Sequence, residues 1–344
     1  MKTIRSRRPR IILAAVLLAA AVFVFFLNIC VGSSRIPLSE VLDVIFGGSK
    51  ESTSYLIVTR IRLPRALSTL AGGASLAIAG LLLQTFFSNP IVEPYVLGIS
   101  SGSSLFAALV ILGGFTFGFK RITPMLLFAG AFLGALIVMS IVLFASRKVK
   151  SVVTLLIIGL MAGYVCGAGT TILTAFAEKE RLANFTMWSL GSFAGFTWDQ
   201  IKVLYMISVP ALLGALLLAK PLNALNAGEK YALSMGINVK RIRSILIVLS
   251  SVLTSAITAF SGPISFIGLA VPHICRILLR TSDNKILLPV CIAAGGLMAG
   301  SCDFIARNLL SPVEIPLGAV TSVFGAPLVV FLLTRKGDTN FGNS

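Results

Sequence analysis

The side chains able to do acid–base, metal or nucleophilic chemistry are sparse in this sequence and seldom near one another. His273 is the one histidine among 344 residues, and no Cys, Asp or Glu stands at ligand spacing from it. It therefore builds no metal site, and a structural or coupling role is expected. The five cysteines, Cys30, Cys166, Cys275, Cys291 and Cys302, lie in or beside apolar runs without a Cys-x-x-Cys pair, which reads as small packing residues rather than ligands or a disulfide framework. No Gly-x4-Gly-Lys-[Ser/Thr] phosphate loop occurs, and the chain holds no Gly-Lys dipeptide at all, so it does not hydrolyse ATP itself. Asp303 is the one acidic residue inside a predicted membrane span, which leaves no relay of carboxylates for proton coupling. Without an energy source of its own, the chain is either a passive channel or one part of a larger machine.

The strongest polar feature is an island, Lys220 to Arg243, in an otherwise almost unbroken apolar sequence. Its glycines at 228 and 236 predict two short helices with breaks at those positions. A membrane protein whose largest internal polar loop is basic offers that loop to a soluble partner, and the expected partner is a separate ATPase delivering its stroke there.

The elements that must position these residues are membrane spans. Hydrophobic residues make up 56% of the chain and charged ones 12%, with a mean hydropathy of +0.97, so lipid is the solvent for most of it. Ten runs are long enough to be spans: about 11–31, 66–87, 96–113, 124–145, 151–177, 201–219, 244–262, 263–280, 286–303 and 316–334. They do not alternate as barrel strands would, so helices are expected. The net charge of +17 could suggest nucleic acid, yet most of the basic residues fall on one side once the spans are drawn. That bias places both termini in the cytoplasm and argues against nucleic acid as a partner. The first run is longer than a signal-peptide core and lacks an Ala-x-Ala-like site, so it is read as a retained span.

Between the first two spans, Ile36 to Phe46 predicts a short amphipathic helix with Ser39 as its N-cap. Arg60, Arg62 and Arg65 then lead into the second span on the side that normally avoids positive charge, either as snorkelling anchors or as a site. Small residues from Ala71 to Gly80 predict close helix packing. The proline-rich stretch Ser88 to Gly102 is an irregular segment, buried in protein or facing water. In the fifth span, Gly159, Gly163 and Gly167 form a ridge that serves either a close helix crossing or a pathway wall. Met187 to Phe193, with Trp188 and Trp198 nearby, suits an interfacial helix. Asn89-Pro90-Ile91 and Gly262-Pro263-Ile264 are faintly alike and begin corresponding parts of two halves, the pattern of an inverted repeat.

Ordered motifs accumulate along the chain: Arg62-Leu63-Pro64-Arg65, Gly80-x3-Gln84, Asn89-Pro90-x3-Pro94-x2-Leu97-Gly98, Gly262-Pro263-Ile264-x-Phe266-Ile267-Gly268-Leu269-x2-Pro272-His273-x2-Arg276, Asp303-x3-Arg307, Glu314-Ile315-Pro316-Leu317-Gly318 and Gly325-Ala326-Pro327. On these the chain resembles the permeases of binding-protein-dependent ABC importers for iron–siderophores, haem and cobalamin, from the first span to Arg335. It departs at Ile91-Val92-Glu93, where Leu-Ala-Asp or Leu-Ala-Glu is usual.

The resemblance implies an all-α polytopic subunit of about ten spans with the type II ABC importer architecture, a single permease domain over residues 1–344 with its coupling loop at 220–243. It implies a second permease subunit, two cytoplasmic ATP-binding subunits and an extracytoplasmic substrate-binding protein. ATP and magnesium would bind in the ATPase, with no metal, cofactor or catalytic residue in this chain. The family's coupling helices fall on Gly228 to Asn238, giving Gly228, Glu229, Ala232, Leu233, Gly236 and Ile237 as ATPase contacts. Its cytoplasmic gate falls on Ser151, Val152, Val153 and Thr154, and its outer docking arginines on Arg62, Arg65 and Arg307, which would then form an outward-facing cluster. The expected function is import of a ferric siderophore through the cytoplasmic (inner) membrane of a bacterium or archaeon. Haem, cobalamin or an oxyanion is the alternative cargo, and a self-sufficient secondary transporter or channel is the rival of another class.

Overall fold

The computed structural model describes residues 7–32, 34, 36–45, 52–113, 122–149 and 151–334, and the regular structure among them is helical. In chain order the helices are α1 (Arg7–Cys30), α2 (Leu38–Ile45), α3 (Thr53–Ile57), α4 (Leu63–Phe86), α5 (Ile99–Gly113), α6 (Pro124–Lys148), α7 (Val152–Ala175), α8 (Lys179–Ser189), α9 (Trp198–Leu217), α10 (Ala219–Asn226), α11 (Glu229–Ser234), α12 (Val239–Ser261), α13 (Ile267–Leu279), α14 (Asn284–Asn308) and α15 (Leu317–Thr334). The ten apolar runs all appear as helices. Among the described residues seven are long and apolar enough to cross a membrane, whereas α5, α13 and the Leu317–Pro327 part of α15 are apolar but shorter. At about 1.5 Å per residue α13 reaches only two thirds of a hydrocarbon core, so it begins inside the bundle.

Helix α4 is the axis. It continues from α3 through one π turn, Val58–Arg62, and is buried along nearly its whole length. A helix surrounded by helices gains nothing from hydrophobicity in lipid, and small residues let its neighbours reach backbone contact. A Cβ placed on Gly73 would lie 2.1 Å from the Gly295 carbonyl of α14, and one on Gly80 would lie 1.8 Å from the Gly268 carbonyl of α13. The same device joins α5 to α6, where a Cβ on Gly102 would stand 2.6 Å from the Gly134 carbonyl. Around α4 lie α9, α12, α13 and α14, with α1 outside α14, while α5, α6 and α7 form a second layer beside α12.

Two expected local features shift. Helix α2 starts at Leu38, so Ser39 lies in its first turn and caps nothing; Phe46, like both chain termini, lies outside the described residues. The interfacial helix comes earlier than predicted, as α8, because Gly191 takes a left-handed conformation (φ 74°) and the chain turns before Phe193.

The two proline segments meet in the bundle interior. The Glu93 carboxylate accepts a hydrogen bond from the Phe266 amide at 3.2 Å, and the Tyr95 hydroxyl accepts one from the Ile264 amide. Irregular backbone inside a membrane protein must have its amides satisfied by neighbours, and these side chains do that for the break between α12 and α13. The Ser88–Gly102 stretch is thus buried in protein along most of its length, while Tyr95 also reaches an open groove described below.

Candidate functional site

Three regions gather the polar residues, and α14 joins the second to the third. The first is a groove between α5 and α7. Its larger compartment, about 360 Å³, is lined in part by Tyr95, Gly98, Ser101, Gly163, Tyr164 and Gly167. A second compartment of about 260 Å³ adds Ser100, Ser104 and Thr170. The glycine ridge of α7 serves both purposes left open by its spacing. Gly159 packs on Leu97, with 3.0 Å from a would-be Cβ to the Leu97 Cα, and Gly163 packs at 3.2 Å on the Gly98 Cα. Gly167 has nothing within 4 Å of such an atom and faces the groove. Ser151 caps α7, its hydroxyl accepting from the Thr154 amide at 3.2 Å. Ser151, Val153 and Thr154 are exposed at that end of the helix and do not line the groove; the Val152 side chain lies outside the described residues.

The second region surrounds the start of α4. Arg65 donates from Nε to both Asp303 oxygens at 3.1 and 3.0 Å, and from Nη1 and Nη2 to Glu314 at 2.8 and 3.0 Å. Such forked pairing suits a guanidinium deprived of water. Arg62 has no carboxylate; it donates to the carbonyls of Ile29 and Cys30 at 3.0 and 2.7 Å and to Ser34. Those are carbonyls that the C-terminus of α1 leaves open, and the π turn carries Arg62 round to them. Arg307 donates to the Asn28 carbonyl and Oδ1 at 2.7 and 2.9 Å. The outward-facing cluster expected from Arg62, Arg65 and Arg307 is therefore corrected: they are only 3%, 7% and 5% exposed, and each is committed to groups of this chain. Glu314 is the accessible member, its side chain 42% exposed. Its hydrogen bonds to Arg65 hold its carboxyl below the usual range against the opposing effect of partial burial.

The third region is the polar island. Gly228 (φ 114°) separates α10 from α11 and Gly236 (φ 75°) ends α11, as the two-glycine pattern predicts. Ala232 is buried against Ala224 and Val239, and Ile237 packs beside them. This small core pushes Tyr231, Leu233 and Met235 outward, at 50%, 56% and 62% exposed. Of the six predicted contact residues, Gly228, Glu229, Leu233 and Gly236 lie on the exposed face, whereas Ala232 is interior and Ile237 half-buried. Glu229 also accepts from Arg243 at 3.0 Å.

The FecCD transport family matches residues 17–335. The chain belongs to that family. It is 32% identical to the hemin transport system permease protein HmuU of Yersinia pestis, over 97% of this chain and 98% of the relative. It is 35% identical to the vitamin B12 import system permease protein BtuC of Klebsiella pneumoniae, over 96% and 95%. A solved metal-chelate type ABC transporter in an inward-facing conformation superimposes with a TM-score of 0.83 at 28% identity, covering 94% of this chain and 99% of that one. The chain is an ABC importer permease of the FecCD family.

Several contacts of this FecCD permease escaped the sequence. Asp303 and Arg307 stood in a motif, but nothing in their spacing says that Asp303 faces Arg65, 238 residues away. The available signal was the cost of a buried carboxylate, which demands a cation. Asn28, Asn223 and Asn284 carried no signal at all, since lone amides in apolar sequence have no characteristic spacing. Gln84 was quoted only within a motif; it accepts from Arg276 and donates to the Gly268 and Leu269 carbonyls at 3.2 and 3.3 Å.

Proposed function

We propose that this subunit, paired with a second permease subunit in the cytoplasmic membrane, forms the pathway of an importer whose cargo is a ferric siderophore received from an external binding protein. Two separate cytoplasmic subunits would bind ATP and magnesium and supply the work, so this chain itself catalyses nothing. The observation that carries the reading is α14. Its first residues hold the α10–α11 knob and its far end holds Asp303 and Arg307, so one helix joins the surface suited to an ATPase to the surface suited to a binding protein. The α10–α11 side and both termini are assigned to the cytoplasm by the positive-inside bias. The exposed N-terminal end of α7, Ser151 to Thr154, is assigned to the cytoplasmic gate.

For docking, we infer that a carboxylate on the binding protein replaces Glu314 on Arg65, since Glu314 is the half-exposed partner while Asp303 is buried. Haem or cobalamin is the second reading of the cargo, favoured by what the relatives are named for. Proteoliposomes test the function. Iron-55 supplied as a ferric siderophore with its binding protein should enter only when the ATPase subunits and ATP are present. Import without them would favour a self-sufficient carrier or channel and overturn the reading.

A further inference from the structure

We propose that Arg243 is a positioning residue for energy coupling: it ties the polar island to the C-terminal end of the axial helix α4, so that a push on α11 reaches the bundle core as well as α14. The inference rests on the reading of α10 and α11 as the surface that meets an ATPase. Arg243 stands in the second turn of α12. Its Nη2 donates to the Glu229 carboxylate of α11 at 3.0 Å, and its guanidinium carbon lies over the Phe86 ring, 5.9 Å from the ring centre. One side chain therefore joins three elements: the island, the helix that carries it, and the last turn of α4.

The two contacts differ in kind. The side chains of Arg243 and Glu229 are 28% and 52% exposed, and an ion pair so open to water adds little to stability. Phe86 is buried and packs edge-to-face on Phe87, with ring centres 4.6 Å apart. A cation over an aromatic face is attracted by the ring quadrupole, and a planar guanidinium can lie against a ring while its N–H edge serves a carboxylate. Two residues before Phe86, Gln84 donates to the Gly268 and Leu269 carbonyls and accepts from Arg276. Contacts and one short stretch of helix thus run without a gap from Glu229 through Arg243, Phe86 and Gln84 to α13, the kind of packed chain that carries energetic coupling. The route is separate from the bond between Asn223 and Asn284, which leaves α10 and enters the first turn of α14. Held at both places, the island moves with the bundle rather than pivoting on one contact.

Arg243→Met keeps an apolar stem over Phe86 and removes the charge, whereas Phe86→Leu removes the ring and keeps an apolar side chain. Iron imported per ATP hydrolysed is measured in proteoliposomes holding the complete complex, with iron-55 supplied as a ferric siderophore on its binding protein. Each variant should lower that ratio about fivefold, the lower end of usual coupling effects, while the Arg243→Met permease unfolds at the wild-type temperature. Arg243→Lys, which keeps a cation at the site, should retain at least about half of the ratio. The double variant should be no worse than either single one, because both cut the same link. An unchanged ratio in Arg243→Met would overturn the proposal. So would equal losses in the Met and Lys variants, a loss accompanied by a lower unfolding temperature of Arg243→Met, or a double variant about 25-fold down, the product expected of independent sites. If Phe86→Leu does not co-purify with the ATPase subunits, Phe86→Met takes its place. The underlying reading fails by a different result: a wild-type permease that imports iron without ATPase subunits removes the ATPase from the island, whatever the variants do.

Discussion

Asn223 on α10 accepts hydrogen bonds from both the backbone and side-chain nitrogens of Asn284, at 2.7 and 3.0 Å, and donates to Asp283 at 2.6 Å. One amide thereby fastens the polar knob to the first turn of α14. A displacement of α10 is carried into a helix of 25 residues, about 37 Å long. Asn223→Ala leaves the buried Asn284 amide without its partner, at a cost of about 1–3 kcal/mol. The expected outcome is a complex that still hydrolyses ATP but moves fewer cargo molecules per ATP, measured as the ratio of the two rates in proteoliposomes. An unchanged ratio would show that α10 transmits by another contact.

Gly236 separates backbone strain from steric bulk. A Cβ there meets nothing within 4 Å, yet φ is 75°. Gly236→Ala should therefore cost about 1 kcal/mol through conformation alone and leave transport largely intact. Gly236→Trp adds bulk beside the exposed Leu233 and Met235 and should uncouple ATP hydrolysis from transport while membrane insertion survives. Normal transport by the Trp variant would remove this loop from the transmission path.

Breaking the Arg65–Asp303 pair should be costly because both partners are buried. Asp303→Ala leaves a guanidinium without its main counter-charge, and the loss expected on breaking such a pair is about 3–5 kcal/mol. Replacing both partners with apolar residues, Arg65→Met with Asp303→Leu, should recover much of it. Thermal unfolding of the purified permease checks both; a double variant no better than Asp303→Ala would mean that the pair supplies more than charge balance.

Glu314 gives the opposite sign for a different property. If a binding-protein carboxylate takes its place on Arg65, Glu314→Gln weakens the internal competitor and should raise affinity for the binding protein several-fold. A purely structural role predicts unchanged or lower affinity, and titration in nanodiscs distinguishes them. The pair also has a defined pH dependence. Because Arg65 lowers the Glu314 pKa, the pair's contribution is present above the ordinary carboxylate pKa and is lost as pH falls through the lowered value. Near neutral pH the contact should thus be insensitive to pH.

Much of this architecture was legible in the sequence because lipid imposes simple rules. Apolar runs marked the ten apolar helices among the fifteen, and Gly228 and Gly236 marked both breaks in the polar island. Small residues from Ala71 to Gly80 announced that α4 would be enclosed. The orientation of the arginines was not legible. Arg62 at a helix entrance looks the same whether it faces water or the end of α1, and the π turn that decides between them has no pattern in Val58–Arg62. Contacts such as Asn223 to Asn284, or Glu93 to Phe266, join segments far apart in sequence through single atoms. They depend on the finished packing rather than on any local preference.

The distance between Arg65 and Asp303 along the chain sets an order of events during synthesis. Arg65 reaches the membrane with its helix while the carboxylate that will neutralise it is still 238 residues from being made. At about 5–20 residues per second the interval is roughly 12–48 seconds. Through that time the guanidinium must be accommodated by water, lipid headgroups or the insertion machinery. A chain released before α14 never receives its partner and should be recognised and degraded quickly. Pulse-chase of a form ending at residue 283 measures that lifetime, and Arg65→Leu should lengthen it. The same substitution in the full-length chain strands Asp303 instead and should shorten its lifetime, so one arginine is a liability early in the protein's life and a necessity later.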